Sequence, residues 1–377
     1  MTRGFRIGRV FGIEIEIDYT WFVIFFLLVY MLASPNGPFG RGILAAPVGL
    51  RVAMSFLAAL LFFGSVLLHE LSHSVVALRN GMKITGITLF IFGGVSKLSD
   101  EPQSPGIEFR MAIAGPITSF VLAAIFFALA RGVHVGIHGV VLGTVFAWLA
   151  AINAMLGLFN LLPGFPLDGG RVLRATLWRW LRSLGEATRI AAASGRGLGT
   201  LMIVGGIFLF LTGQGLNGIW LAMIGWFLTN AAHASYQQLV VRQALVGVPV
   251  ATVMTREVHS VPGDLTLEEL IHEHILTYDH SSYPVFEGDQ LVGTLTLKSV
   301  GAVPREKRAA VTAREVASPL SQEQTISPEA DLWTALTKMA ASGDGPLLVM
   351  SHVSLVGIIS RSDIMRSMRT RMELGIP

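Results

Sequence analysis

His69 and His73 stand four residues apart in His69-Glu70-Leu71-Ser72-His73, with Glu70 beside them. On a helix, positions i and i+4 share a face. The two imidazoles can therefore bind one Zn²⁺ together, and the Glu70 carboxylate lies next to them as a candidate general base. The stretch interrupts a long apolar run, Met54 to Leu78, that reads as a membrane span. Ionisable side chains inside a bilayer are unfavourable and mark function; here the chemistry they suggest is metal-assisted hydrolysis within the membrane. The plainer alternative is two polar positions lining a helix–helix contact. It is disfavoured because unpaired polar groups are poorly tolerated there.

A zinc site with two histidines needs a third protein ligand from elsewhere in the chain. There are no cysteines, so disulfides and thiolate ligands are excluded and the metal must be held by His and carboxylate. The segment Asn160-Leu161-Leu162-Pro163-Gly164-Phe165-Pro166-Leu167-Asp168-Gly169-Gly170-Arg171 closes an apolar run. Its prolines break the helix, and Asp168 then opens a short helix over Gly169–Leu181. Taken alone, Asp168 reads as an N-cap. Paired with an intramembrane histidine pair, it becomes the candidate third ligand.

Those residues need a scaffold, and composition says which kind. Of 377 residues, 52% are hydrophobic and only 14% charged, against about a quarter charged in soluble domains. This is an α-helical polytopic membrane protein with room for an appended soluble domain. The net charge of +3 is too small to suggest a nucleic-acid partner. About six transmembrane helices are expected, at Tyr19–Ala33, Arg51–Leu78, Phe109–Ala130, Gly139–Leu162, Leu198–Leu211 and Leu216–Ala234. The first lacks a convincing cleavage site and reads as a retained span. Before it, Phe5 to Ile17 alternates apolar and polar residues, a strand pattern at the membrane interface. Ile84–Leu98 reads as two strands joined at a Gly93-Gly94 turn, too apolar for an ordinary loop. It is expected either as a small membrane-associated β-element or as a surface hairpin.

Basic residues set the orientation. Arg3, Arg6, Arg9, Arg79, Lys83, Lys97, Arg110, Arg171, Arg174, Arg179, Arg182, Arg189, Arg196 and Arg242 fall on one side, against Arg41, Arg51 and Arg131 on the other. The positive-inside rule then places both termini in the cytoplasm and His69–His73 in the cytoplasmic half of the second span.

From about Val248 charged residues become frequent and the spans stop. Two similar units follow, Thr252 to Val300 and Ala313 to Ile364. Each reads as a short strand, an amphipathic helix (Thr266–Leu276; Ala330–Ala341) and two strands (Tyr283–Phe286 with Leu291–Leu297; Pro346–Met350 with Leu355–Ser360), an internal repeat of about 60 residues.

The chain resembles the site-2 protease family of intramembrane zinc metalloproteases. The resemblance rests on His69 to His73, on Asn160-x-x-Pro163-x-x-Pro166-Leu167-Asp168-Gly169, on Ala114-Gly115-Pro116 and on the Gly93-Gly94 hairpin, and it covers most of residues 1–235. The tail resembles a tandem CBS-domain pair, as in the six-span prokaryotic branch of that family. The resemblance implies an intramembrane metalloprotease domain over 1–240 and a cytoplasmic α/β CBS pair over 248–372, divided near 248–305 and 312–372. It implies one Zn²⁺ per chain, with His69, His73 and Asp168 as ligands, Glu70 as the base, and Asn160 as a catalytic residue that orients substrate or stabilises the oxyanion. The implied partners are transmembrane protein substrates in the lipid bilayer of the cell membrane, and a homodimer through the CBS domains. In CBS pairs a Ser/Thr-x-x-Asp motif contacts ribose. Ser360-Arg361-Ser362-Asp363 fits it, whereas Thr296-Leu297-Lys298-Ser299 has Ser in place of Asp. At most one adenine-nucleotide site, at Ser360 and Asp363, is therefore expected, and a tail that serves only for dimerisation stands nearly level with it.

Other signals read more plainly. His272-Glu273-His274 lies on the expected Thr266–Leu276 helix, where alternate positions do not share a face. His134 and His138 flank an external loop. Gly195, Gly197, Gly199, Gly205 and Gly206 fit close helix packing. The rival reading of another class is a CBS-regulated transporter or channel that uses His69, Glu70 and Asp168 as an ion path.

Overall fold

The alternating N-terminal segment folds as a hairpin. In the computed structural model, which describes residues 4–39, 47–91, 93–98, 102–133, 136–278, 282–342, 345–352 and 354–374, strand β1 (Gly4–Val10) pairs antiparallel with β2 (Ile13–Asp18). Phe11 and Gly12 both take positive φ, 52° and 81°, as a two-residue hairpin turn of type I′ requires. β2 pairs in parallel with β3 (Ile84–Phe90), and β3 antiparallel with β4 (Gly93–Leu98). The result is one four-stranded sheet in the order β1-β2-β3-β4. The expected second hairpin is thus half of a larger sheet. Its turn is centred before the glycines, which are the first two residues of β4.

Asp18 closes β2 and caps helix α1 (Tyr19–Ala33), accepting from the Thr20 N–H at 2.9 Å. Helix α2 (Val48–Arg79) carries the His pair. Then come α3 (Pro105–Gly132), α4 (Gly136–Asn160), α5 (Asp168–Leu181), α6 (Leu184–Leu211) and α7 (Gly215–Leu245). Among the described residues four helices are long and apolar enough to cross a membrane: α2, α3, residues 140–160 of α4, and α6. α1 is apolar, but its 15 residues reach only about 22 Å, short of a hydrocarbon core of about 30 Å. In α7, Asn217, Asn230 and His233 dilute the apolar stretch. α6 starts fourteen residues before the expected Leu198, because Ser183 caps it through the Glu186 N–H and the helix runs through Arg189 and Arg196 before turning apolar.

α3 packs against α2, α4 and α5, and so is the hub on which the site is assembled. Ile13, Leu71 and Ile87 seat the sheet on α2, while Trp21, Phe25, Phe63, Val66 and Leu89 join α1, α2 and β3. The glycines of α6 serve close packing: an added methyl at Gly199 or Gly206 would meet the backbone oxygen of Gly225 or Gly218 on α7. The chain divides into two units, Met1–Gln237 and Gln238–Pro377.

In the second unit a sheet of order β5-β6-β7-β8 and one of order β11-β10-β9 each cover their own apolar core. Here β5 is Val261–Pro262, β6 Ser282–Glu287, β7 Gln290–Thr296, β8 Ser318–Pro319, β9 Thr325–Ile326, β10 Leu347–Ser351 and β11 Ser354–Ile359. The expected helix over Thr266–Leu276 is one α-helical turn, Leu267–Leu270, followed by a π-helical turn, Ile271–Ile275. The two halves exchange their leading segments. Val250 is buried with Leu332, Leu347 and Ile359 of the second half, and its N–H donates to the Ala330 carbonyl. Ala313 is buried with Leu267 and Tyr283 of the first half, and its N–H donates to Leu265. The repeats are contiguous in sequence but interleaved in space.

Candidate metal centre

α2 places His69 and His73 one above the other, with ring centroids 4.9 Å apart and both side chains buried. The chain then supplies a carboxylate from α5. Asp168 is the first residue of that helix, and the cap position is Leu167, which makes no side-chain cap bond. The carboxylate therefore does not serve as a cap; it faces the histidines. Asp168 Oδ2 lies 3.0 Å from His69 Nε2 and 3.2 Å from His73 Nε2. The segment before it is pinned to α6, with the Phe165 N–H donating to Ala191 at 3.2 Å and Ser194 Oγ donating to the Pro163 carbonyl.

These atoms fit zinc. Metal–ligand bonds of about 2.0–2.2 Å in a tetrahedron put neighbouring ligand atoms roughly 3.3 Å apart, and the ligand atoms of His69, His73 and Asp168 all lie within 4.8 Å of one another. Protonation gives a second test. His73 Nδ1 is 2.7 Å from the Met111 carbonyl, which can only accept. In the neutral ring the proton is then on Nδ1, and Nε2 points a lone pair at the Asp168 carboxylate. A positive charge between them resolves that juxtaposition. Space gives a third. An added methyl at Gly115 of α3 would sit 2.2 Å from His73 Nε2 and 2.5 Å from His69 Nε2. Only glycine leaves the side of the two ligand nitrogens open at that point.

Glu70, one residue round the helix from His69, is covered by β4. Ser96 Oγ donates to Glu70 Oε2 at 3.3 Å and meets Ser74 Oγ at 3.2 Å. A methyl at Gly94 would fall 2.4 Å from Glu70 Cγ, so the strand backbone passes directly over the carboxylate. Arg174, on α5 with Asp168, forms a buried ion pair with Glu108 of α3. Sequence reasoning missed Ser96, Met111, Ser119, Glu108 and Arg174 as parts of the site. A helical stripe on α3, residues 108, 111, 115 and 119, is the signal that links several of them.

Other expected site residues make hydrogen bonds of their own. Asn160 ends α4, and its Nδ2 donates to the Leu156 carbonyl of its own helix at 3.1 Å. In the tail, Asp363 Oδ2 accepts from the Ser360 N–H at 3.0 Å and from its hydroxyl at 2.6 Å, while Ser360 Oγ accepts from the Asp363 N–H at 3.3 Å. That is a capping box on the last helix, and Thr296 with Ser299 forms the counterpart in the first repeat. Among the described residues His69, His73 and Asp168 are the group with metal-binding geometry, and His272, Glu273 and His274 form no such group. His134 lies outside the described residues, as does the side chain of His138.

The sequence matches known proteins. A family model for peptidase family M50 matches residues 57–140 and 136–204, and the CBS-domain model matches 250–300 and 313–370. The chain is similar to Rip3 of Mycobacterium tuberculosis, 36% identical over 367 residues, which cover 96% of this chain and 91% of that one. It is similar to the zinc metalloprotease MJ0392 of Methanocaldococcus jannaschii, 30% identical over 98% of this chain and 97% of the other. The solved structure of a site-2 protease from Methanocaldococcus jannaschii aligns with 31% identity over 62% of this chain and 95% of that one, with a TM-score of 0.44.

Proposed function

Given that this chain belongs to peptidase family M50, the site-2 protease family of zinc metalloproteases, and ends in paired CBS domains, we propose that it is an intramembrane endopeptidase that hydrolyses peptide bonds of transmembrane proteins. The observation that carries the reading is the meeting of His69, His73 and Asp168 from two helices, with Glu70 beside them under a strand. His69, His73 and Asp168 would hold the zinc. Bound there, the metal supplies polarisation of the scissile carbonyl and acidification of a water. Glu70 accepts that water's proton and passes it to the leaving amine. Ser96 orients the Glu70 carboxylate.

The β-element supports the choice of substrate. A transmembrane helix hides its peptide groups in internal hydrogen bonds and must be unwound before attack. β4 is the edge of its sheet, and its backbone covers the base, so an extended substrate segment paired to that edge lies beside Glu70. Hydropathy supports six spans, with α1 and α7 completing the four long apolar helices, and the Lys/Arg bias supports both termini in the cytoplasm. In this reading 1–240 is the protease domain and 248–372 a regulatory CBS pair that dimerises and binds an adenine nucleotide near Ser360 and Asp363. Asn160 helps to place the substrate at the end of α4.

The test is a trap for the substrate. Membranes of cells producing the wild type and the Glu70→Gln variant are compared by quantitative proteomics for membrane proteins of altered length. Full-length membrane proteins should accumulate with the variant. Identical profiles under conditions where the wild type is active would overturn the proposal.

A further inference from the structure

Met111, Gly115 and Ser119 lie on one face of α3, at the spacing of successive helical turns, and each meets the histidine pair. The Met111 carbonyl accepts from His73 Nδ1 at 2.7 Å. Gly115 leaves the side of the two Nε2 atoms open. Ser119 Oγ lies 2.8 Å from His69 Nδ1, and Ser119 is fully buried. The two histidines are thus held differently. His73 leans on a backbone carbonyl, which side-chain changes leave in place. His69 leans on a side-chain hydroxyl.

We propose that Ser119 is the positioning residue for the metal centre: its hydroxyl accepts the Nδ1–H of His69, fixes that ring's tautomer and rotation, and so presents the Nε2 lone pair to the metal. The inference rests on the reading of His69, His73 and Asp168 as zinc ligands. Ring torsion in a histidine is soft, and the helix backbone alone leaves the imidazole free to turn away. Groups that accept from the remote nitrogen of a metal-bound histidine fix its orientation and raise its basicity, and their loss typically weakens metal binding by about 10–100-fold. Ser119 makes no contact with Asp168 or Glu70 among the described hydrogen bonds, so its effect is confined to His69.

Zinc affinity, measured by chelator competition on the full-length chain in detergent, tests this, with the absorption spectrum of the cobalt(II)-substituted protein as a second readout. Ser119→Ala should bind zinc about 10–100-fold more weakly and shift the cobalt bands. Ser119→Thr, which keeps the hydroxyl, should stay near the wild type on both readouts. Ser55→Ala is the control for deleting a buried serine hydroxyl in the same bundle, since Ser55 Oγ donates only to its own helix at Arg51, and it should change neither. Ser119→Ala with wild-type affinity and an unchanged cobalt spectrum would overturn the proposal while leaving the ligand set intact. Equal losses in Ser119→Ala and Ser119→Thr would also overturn it, by assigning the effect to packing. A wild-type chain that binds no zinc, no more than His69→Ala does, would overturn the metal reading itself and this proposal with it.

Discussion

Arg174 and Glu108 form an ion pair inside the protein, Arg174 Nε donating to Glu108 Oε1 at 2.6 Å, with side-chain exposures of 8% and 0%. The pair ties α5 to α3, and the guanidinium also sits over the Phe165 ring, 5.1 Å from its centroid. Asp168 begins the same helix as Arg174, and Gly115 lies two turns along from Glu108. Removing one member of a buried pair leaves the other charge uncompensated and destabilises by about 3–5 kcal/mol. Arg174→Met is therefore expected to lower the midpoint of thermal unfolding in detergent and to reduce zinc content by loosening Asp168. Unchanged zinc content and unfolding would show that the pair holds nothing in place.

The edge strand gives a second prediction. Ile91 lies in the turn of the hairpin, and its N–H donates to Thr20 Oγ1 at 3.3 Å, so a proline there would disturb the sheet's link to α1 and not the edge. Val95 is on β4 and 49% exposed. Val95 pairs with Thr88 of β3, so Val95→Pro disrupts the edge strand and should slow cleavage of a membrane substrate by about tenfold or more, with zinc still bound. Val95→Ala should be nearly silent. Cleavage that is insensitive to Val95→Pro would remove β4 from substrate binding.

Orientation is checked with reporter fusions. Fusions after Pro377 and within Arg171–Arg189 should report the cytoplasm, and one near Asn36 the opposite side. A C-terminal fusion that reports outside would reverse the topology and put the metal centre in the other half of the bilayer.

In the tail, Asp363 has a structural task of its own. Asp363→Ala removes the capping box with Ser360 and should destabilise the last helix by about 1 kcal/mol whether or not a nucleotide binds. The informative comparison is calorimetry of the full chain with AMP, ADP and ATP, in the wild type and in Asp363→Asn, which retains an amide oxygen able to cap. Heat in the wild type that is lost in Asp363→Asn supports a ribose contact. No heat with any of the three at millimolar concentration would leave the tail without a nucleotide site.

The chemistry of the site was more legible than its support. His69, Glu70 and His73 announce themselves by spacing, and Asp168 by following a proline break, because ionisable residues are rare in an apolar chain. The groups that hold them are not rare. Ser119 and Gly115 look like ordinary small residues of a span, and Met111 contributes a backbone oxygen that carries no sequence signal. Strand periodicity found β3 and β4 but not their partner, since β2 lies some seventy residues earlier and pairs in register with Gly86 to Leu89 only in space. The glycines of the expected turn became strand residues because the turn precedes them and Gly94 must pass over Glu70. In the tail, the repeat was visible, but the exchange of Val250 and Ala313 between halves was not, because a repeat unit read along the chain assumes that each unit packs on itself.

Bound zinc and cleavage of a transmembrane reporter in proteoliposomes, measured together in the wild type and in Glu70→Gln, test the central claim most directly. His69, His73 and Asp168 are untouched in that variant, so it should retain about one zinc per chain. Its cleavage rate should fall by at least about 10²–10⁴-fold, the contribution of a positioned general base. A Glu70→Gln protein that cleaves at the wild-type rate would contradict the account.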